Sequence, residues 1–114
     1  MGNESQSFKK KDIKETKQQK FIIEILSKNY IHSKRIIKES EENIIQCDPE
    51  KLRTCYRIVS HIDNVTECLG EREKFIIQKE VMEGRTGKWY MEFLSAPSYY
   101  RHRSKAYEDF LHCL

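Results

Sequence analysis

Residues that make tight turns are scarce in this sequence, which has four glycines and two prolines among 114 residues. Sandwiches and barrels need many tight turns, and glycine and proline supply most of them. The scarcity therefore favours helices. A chain of this length is expected to form one domain, which excludes an enzyme with a cleft between two domains.

Long apolar runs are also lacking, because the longest are two or three residues, as at Phe21-Ile22-Ile23. A membrane-spanning helix needs about 20 consecutive apolar residues, so we expect no membrane partner. The first 20 residues are polar and lack the apolar core of a secretory signal. We therefore expect a cytoplasmic protein whose cysteines are reduced thiols.

Motifs of metal sites and active sites are absent as well. The four cysteines are Cys47, Cys55, Cys68 and Cys113. They include no C-x-x-C pair, which disfavours zinc. The sequence has no phosphate-binding glycine loop, no H-E-x-x-H and no G-x-S-x-G. The carboxylate pairs Glu41-Glu42 and Glu71/Glu73 lie in polar stretches, where nothing would raise a pKa. We expect no enzyme, no metal and no cofactor.

Charge is abundant but unevenly distributed over the sequence, whose net charge is +3. Residues 1–37 carry nine basic and four acidic side chains, residues 38–83 seven and eleven, and residues 84–114 five and three. Two basic ends thus flank an acidic middle. Such asymmetry is typical of proteins that contact a polyanion.

The N-terminal half is predicted to be a basic arm followed by amphipathic helix. Residues 1–20 are interpreted as a basic flexible arm that can extend the next helix. Its six lysines are Lys9, Lys10, Lys11, Lys14, Lys17 and Lys20. Residues 21–45 have apolar side chains at helical spacing, which predicts one long helix or two short ones with a break near residues 29–33. These side chains are Phe21, Ile22, Ile25, Leu26, Tyr30, Ile36, Ile37, Ile44 and Ile45.

Local signals divide the rest of the chain into further helices. Asp48-Pro49 predicts a helix start, with Asp48 as the cap and Pro49 at the first helical position. That helix is expected to end near residues 68–70. A second is expected to run from Glu71 to Gly84, where glycine permits the left-handed conformation of a helix end. An aromatic segment, residues 88–94, is long enough for about two helical turns.

The final predicted helix begins at Ser95, a preferred N-cap, and tolerates Pro97 in its first turn. A short helix, a tight connection and a capped basic helix form the pattern of a helix-turn-helix, whose second helix enters the major groove. The predicted inward face is Tyr99, His102 or Arg103, Ala106, Phe110 and Cys113. The predicted DNA-contacting residues are Lys88, Ser98, Tyr100, Arg101, Arg103, Ser104 and Lys105.

The stretch from Leu69 to Leu111, about 40% of the chain, resembles the region-four helix-turn-helix of bacterial sigma factors. In that family a leucine and a glutamate precede an apolar helix, a serine caps the recognition helix, and an alanine follows eleven residues later. Here those positions are Leu69, Glu73, Ser95 and Ala106. The string Ser98-Tyr99-Tyr100-Arg101 is similar to phage-type late-transcription regulators and to small uncharacterised proteins of wall-less bacteria. Pro97 departs from the family pattern, which has a polar or charged residue there. The resemblance implies RNA polymerase as a protein partner.

Together these features predict an all-α bundle of five to six helices. It consists of the arm (1–20), an N-terminal helical part (21–68) and a helix-turn-helix module (69–114) in one compact domain with 21–68. The expected function is transcription regulation through duplex DNA. One alternative is a protein-interaction adaptor that uses the acidic middle, and another is RNA binding through the aromatic segment. The isoleucine-rich helices are expected either to cover the C-terminal module or to form a homodimer.

Overall fold

The computed structural model describes the backbone of residues 2–114 and the side chains from residue 17 onward. It is all-α, as expected, and the described residues form no strand. The described residues form four α-helices, fewer than the five to six expected, and two short turns of other helical types. The α-helices are α1 (Gly2–Glu41), α2 (Pro49–Glu67), α3 (Glu71–Ile77) and α4 (Ala96–Cys113). A π-helical turn (Gln78–Met82) continues α3, and a single 3₁₀ turn (Trp89–Glu92) precedes α4.

Helix α1 is continuous, so the break considered near residues 29–33 does not occur. It ends in a Schellman motif: Asn43 has a φ of 57°, and the Ile44 amide donates to the Glu39 carbonyl at 2.8 Å. Ile44 and Ile45 therefore lie beyond the helix and are exposed, which corrects their assignment to its apolar stripe. Residues 2–20 share α1. The flexibility of this arm stays a prediction, because Met1 and the side chains of residues 1–16 lie outside the described part.

The buried face of α1 differs from the predicted stripe. Ile23, Tyr30 and Ile36 are buried, together with two small polar residues, Ser27 and Ser33. These positions recur every three to four residues and therefore share one face. The predicted stripe members Phe21, Ile22 and Ile25 are exposed. Pairing of this exposed apolar face with a second copy stays a prediction.

Helix α2 begins as the sequence predicts, with Pro49 in its first turn, although the Asp48 side chain makes no capping hydrogen bond. Two tyrosine hydroxyls join α2 to α1. Tyr30 donates to Asp63 Oδ1 at 2.8 Å, and the exposed Tyr56 donates to Glu41 Oε1 at 2.9 Å. Burial, followed by the hydrogen bond to Asp63, raises the pKa of Tyr30. Tyr30 thus joins the two helices through a partly buried polar contact.

Helix α4 packs against α3 through the face that contains Ala106, which is completely buried. Ser95 caps the helix by accepting a hydrogen bond from the Ser98 amide at 3.4 Å, and Pro97 lies in the first turn, both as predicted. Tyr99 and Phe110 are buried, as expected. Tyr107 is buried as well, although the sequence did not indicate it. Cys113 was expected to face inward but is exposed.

The aromatic segment does not form the predicted two-turn helix. It forms one 3₁₀ turn, in which the Phe93 amide donates to the Tyr90 carbonyl at 2.8 Å. A short segment nucleates an α-helix poorly, and single turns commonly close with i→i+3 bonds. The Phe93 ring is exposed, whereas Tyr90 is buried. The helix-turn-helix itself stays a prediction.

None of the described helices combines the length and the apolar character that crossing a membrane requires.

The two tyrosine contacts between α1 and α2 form a matched pair for testing this packing. We expect Tyr30→Phe to lower the free energy of unfolding by about 1–2 kcal/mol, because the partly buried Asp63 carboxylate loses its donor. Tyr56→Phe is expected to change it by less than about 0.5 kcal/mol, because water replaces the exposed contact. Urea unfolding followed by circular dichroism measures both values. Equal losses in the two variants would contradict this assignment.

Candidate nucleic-acid interface and adjacent cavity

Helix α4 divides the seven predicted DNA-contacting residues into two groups. The first group is a row along one side of the helix, with three exposed members and the half-buried Ser98. We call it the outward row; its members are Ser98, Arg101, Ser104 and Lys105. Their spacing of three to four residues places them on one helical face. The second group, Lys88, Tyr100 and Arg103, lines a cavity between α4, α1 and the loop before the 3₁₀ turn.

Helix α3 contributes charge beside the outward row. Lys105 Nζ lies 3.5 Å from Glu73 Oε1, and the Glu73 side chain is largely buried. Arg72 Nη1 lies 3.3 Å from His102 Nε2, so a further exposed arginine approaches α4. Sequence reasoning missed Arg72 because its neighbours Glu71 and Glu73 make that stretch acidic overall. Arg72 and Arg101 thus add two guanidinium groups to this side of the protein.

A buried carboxylate holds α4 in place. Glu80 lies in the π-helical turn and is largely buried. Tyr99 and Tyr107, both on α4, donate their hydroxyl hydrogens to its two oxygens. Trp89 Nε1 donates to Glu80 Oε2 at 3.0 Å. One carboxylate therefore connects the π turn, the 3₁₀ turn and α4, and hydrogen bonds to a charged acceptor are among the stronger ones in proteins.

The π turn carries Glu80 and is closed by an i→i+5 hydrogen bond from the Glu83 amide to the Gln78 carbonyl at 3.0 Å. Such turns are rare and often occur at functional sites. Sequence analysis did not single out Glu80. A signal was present, because Glu73 and Glu80 share the helical face of Ile76, Ile77 and Val81. A carboxylate on an apolar face needs a buried partner.

The cavity beside α4 has a volume of about 590 Å³. Five cationic side chains line it: Lys20, Lys28, Arg85, Lys88 and Arg103. The Arg103 guanidinium lies over the ring of Tyr100, 4.8 Å from its centroid, and over Tyr107 at 5.5 Å. Its Nε is buried and has no acceptor among the described residues. The Arg103 side chain thus packs among tyrosine rings.

The described part of the chain contains no group of three or more histidine, cysteine or carboxylate side chains that could hold a metal ion. The four cysteines are free thiols; Cys55 is buried, whereas Cys68 and Cys113 are exposed. Comparisons with protein-family models, with curated proteins and with solved structures find no match for this chain.

Removing the buried carboxylate is expected to be costly. In Glu80→Ala, the Tyr99, Tyr107 and Trp89 donors lose their acceptor, and an unsatisfied buried donor costs about 1–3 kcal/mol. We therefore expect the free energy of unfolding to fall by at least about 3 kcal/mol. The matched control is Glu83→Ala, which removes an exposed carboxylate of the same helical segment and should cost less than about 1 kcal/mol. Urea unfolding of both variants makes the comparison, and similar costs would contradict it.

The tyrosines bound to Glu80 predict an alkaline loss of stability. Burial, together with the Glu80 carboxylate, raises the pKa of Tyr99 and Tyr107 above the ordinary tyrosine value of 10.0. At high pH the unfolded chain loses these protons before the folded protein does. Their stabilisation is therefore complete below pH 10 and decreases as the pH rises from there towards the folded pKa values.

This linkage is measurable by urea unfolding between pH 8 and pH 11.5. Above pH 10, we expect the free energy of unfolding to fall less steeply in Tyr107→Phe than in the unsubstituted protein. The difference should approach about 1.4 kcal/mol per pH unit, the value for one proton. Identical slopes in the two proteins would show that Tyr107 is not the buried, carboxylate-bound group described above.

Proposed function

We propose that the protein is a DNA-binding transcription regulator whose helix α4 contacts duplex DNA through the outward row. The observation that carries this proposal is the exposure of Arg101, Ser104 and Lys105 along one face of a capped helix. Arginine binds guanine edges or phosphates, and lysine and serine bind phosphates. The resemblance to sigma region four supports the same helix as the recognition element and RNA polymerase as a further partner.

The dimensions of α4 suit this role. From Ser98 to Lys105 the helix rises about 10 Å, at 1.5 Å per residue. An α-helix fits the major groove of B-form DNA, which is about 12 Å wide. The Ser98 amide already donates to the Ser95 side chain that caps the helix. The Ser98 hydroxyl is therefore the group of this residue that remains to bind a phosphate. Glu80 fixes the inner face of α4, so the outward row is presented on a rigid support.

Charges outside α4 supplement the row in this proposal. Arg72 lies beside α4 through its contact with His102 and provides an additional cation for the phosphate backbone. Lys17 and Lys20, at the end of the N-terminal arm, are exposed on α1. Cations of this kind provide attraction that is independent of sequence and weakens with salt. Lys88, Tyr100 and Arg103 belong to the cavity, so the proposed DNA contact set consists of the four residues of the outward row.

One observation favours the alternative of a protein-interaction adaptor. Glu73, from the acidic middle of the chain, reaches Lys105 and partly neutralises it. If the acidic middle of the chain formed the functional contact, the protein would keep this fold without binding DNA through α4. Among the ion pairs of the described residues, Lys105–Glu73 is the one that involves the outward row. Arg101 and Ser104 stay exposed, so we favour DNA.

The test is a gel-shift salt titration on random duplex DNA with two matched double variants. Arg101→Ala with Lys105→Ala removes the cations of the outward row. Arg57→Ala with Lys51→Ala removes the same two residue types from exposed positions on α2. We expect the first variant to bind at least about tenfold more weakly, and its salt slope to fall by about one to two. The α2 variant should bind like the unsubstituted protein.

Two outcomes would contradict the proposal. One is the absence of duplex binding at low salt, and the other is an equal effect of the two double variants. Either result would favour the adaptor. Pull-down of purified RNA polymerase subunits would then test that function directly.

A further inference from the structure

We propose that the cavity beside α4 binds a free mononucleotide, that is, one aromatic base with a phosphate group. The residues of α4 that border this cavity are not members of the outward row. The proposal does not depend on DNA binding. Its physical basis is the joint presence of a suitable volume, aromatic faces and an excess of cations.

The volume of the cavity suits a small molecule. It measures about 590 Å³, within the range of about 300–1,000 Å³ that is usual for ligand sites. A nucleic-acid duplex is too wide to enter such a space. The loop of residues 84–88 forms one wall and approaches α1 closely, because a Cβ at Gly84 would lie 2.7 Å from Ile31 Cδ1. Gly84 also has a φ of 69°, which glycine adopts without strain.

Aromatic rings supply surfaces for a base. Tyr90 and Tyr99 line the cavity but are buried, and they stack on each other with centroids 3.8 Å apart. Tyr100 packs edge-on against both and is half exposed. Stacking of a nucleobase on an aromatic side chain contributes to affinity without requiring a particular base. The half-exposed Tyr100 is therefore the ring on which a base would stack.

The charge of the cavity points to an anion. Its five cationic side chains face two carboxylates, Glu24 and Glu80. The Glu80 oxygens already accept hydrogen bonds from tyrosine and tryptophan. Arg85 is paired with Glu83 at 3.0 Å. Arg103 has a buried Nε without an acceptor among the described residues, and its guanidinium can bind phosphate. A phosphate in the cavity would pair with the Arg103 guanidinium.

The experiment is isothermal titration calorimetry of the full chain with AMP, GMP, CMP and UMP. Fluorescence of Trp89, the single tryptophan, provides a second readout, because its indole binds Glu80 and packs against Tyr99. We expect saturable binding of at least one mononucleotide with a Kd below about 1 mM. The corresponding nucleoside and inorganic pyrophosphate should each bind at least about tenfold more weakly, because each lacks one of the two contacts.

Two variants test the site and one serves as a control. Arg103→Gln should weaken mononucleotide binding at least about tenfold, a loss comparable to that of one charged contact. Lys28→Gln changes an exposed side chain of α1 and should also weaken it, without affecting the core. Arg101→Gln, on the outward row, should leave it unchanged. Circular dichroism confirms that each variant is folded.

Several outcomes would overturn the proposal. They are the absence of saturable binding of any mononucleotide up to about 10 mM, equal binding of pyrophosphate, and tighter binding of a single-stranded oligonucleotide. The proposal would also be overturned if Lys28→Gln and a folded Arg103→Gln both bound the mononucleotide as tightly as the unsubstituted protein does. DNA binding is measured separately, on the outward row, so failure of one proposal is distinguishable from failure of the other.

Discussion

The buried carboxylate of Glu80 is the interaction on which the C-terminal half depends. Its three donors come from the 3₁₀ turn and from two positions of α4 that lie eight residues apart, so it determines both the position and the rotation of that helix. A charged group at this depth is tolerated only when its hydrogen-bonding capacity is used. Fixing the inner face of α4 in this way also determines which residues face outward.

Three faces of α4 consequently have different chemistry. The inner face, with Ala106 and Phe110, packs against the rest of the bundle. The outward row has cations and hydroxyl groups in solvent. The third face, with Tyr100 and Arg103, borders the cavity. Because these faces belong to one rigid helix, a ligand in the cavity and DNA on the outward row would act on the same element. This arrangement links the two proposals physically, and α4 offers different residues to each.

Local signals predicted much of this fold correctly. Pro49, Gly84 and Ser95 mark helix boundaries because capping and φ preferences depend on a few neighbouring residues. The all-α class followed from the small number of glycines and prolines. The division of α4 into a buried and an exposed side was correct for Tyr99, Ala106, Arg101 and Lys105, since helical periodicity alone determines it.

Features that depend on packing between distant segments were not predictable in this way. The isoleucine pairs of α1 offer two apolar faces, and only contact with α2 and the π turn selects the face of Ile23 and Tyr30. Glu80 has its role only because Tyr99 and Tyr107, which lie 19 and 27 residues further along the chain, pack against it. The cavity likewise needs α1 beside Arg103, a pairing that no local pattern encodes.

The measurement that tests the central claim most directly is a nuclear magnetic resonance titration of the labelled protein with a short duplex. The account predicts that amide resonances of the outward row, Arg101 and Lys105 above all, shift most strongly, and that those around buried Ala106 shift least. Shifts confined to residues 38–83, or the absence of shifts on α4 at low salt, would contradict it.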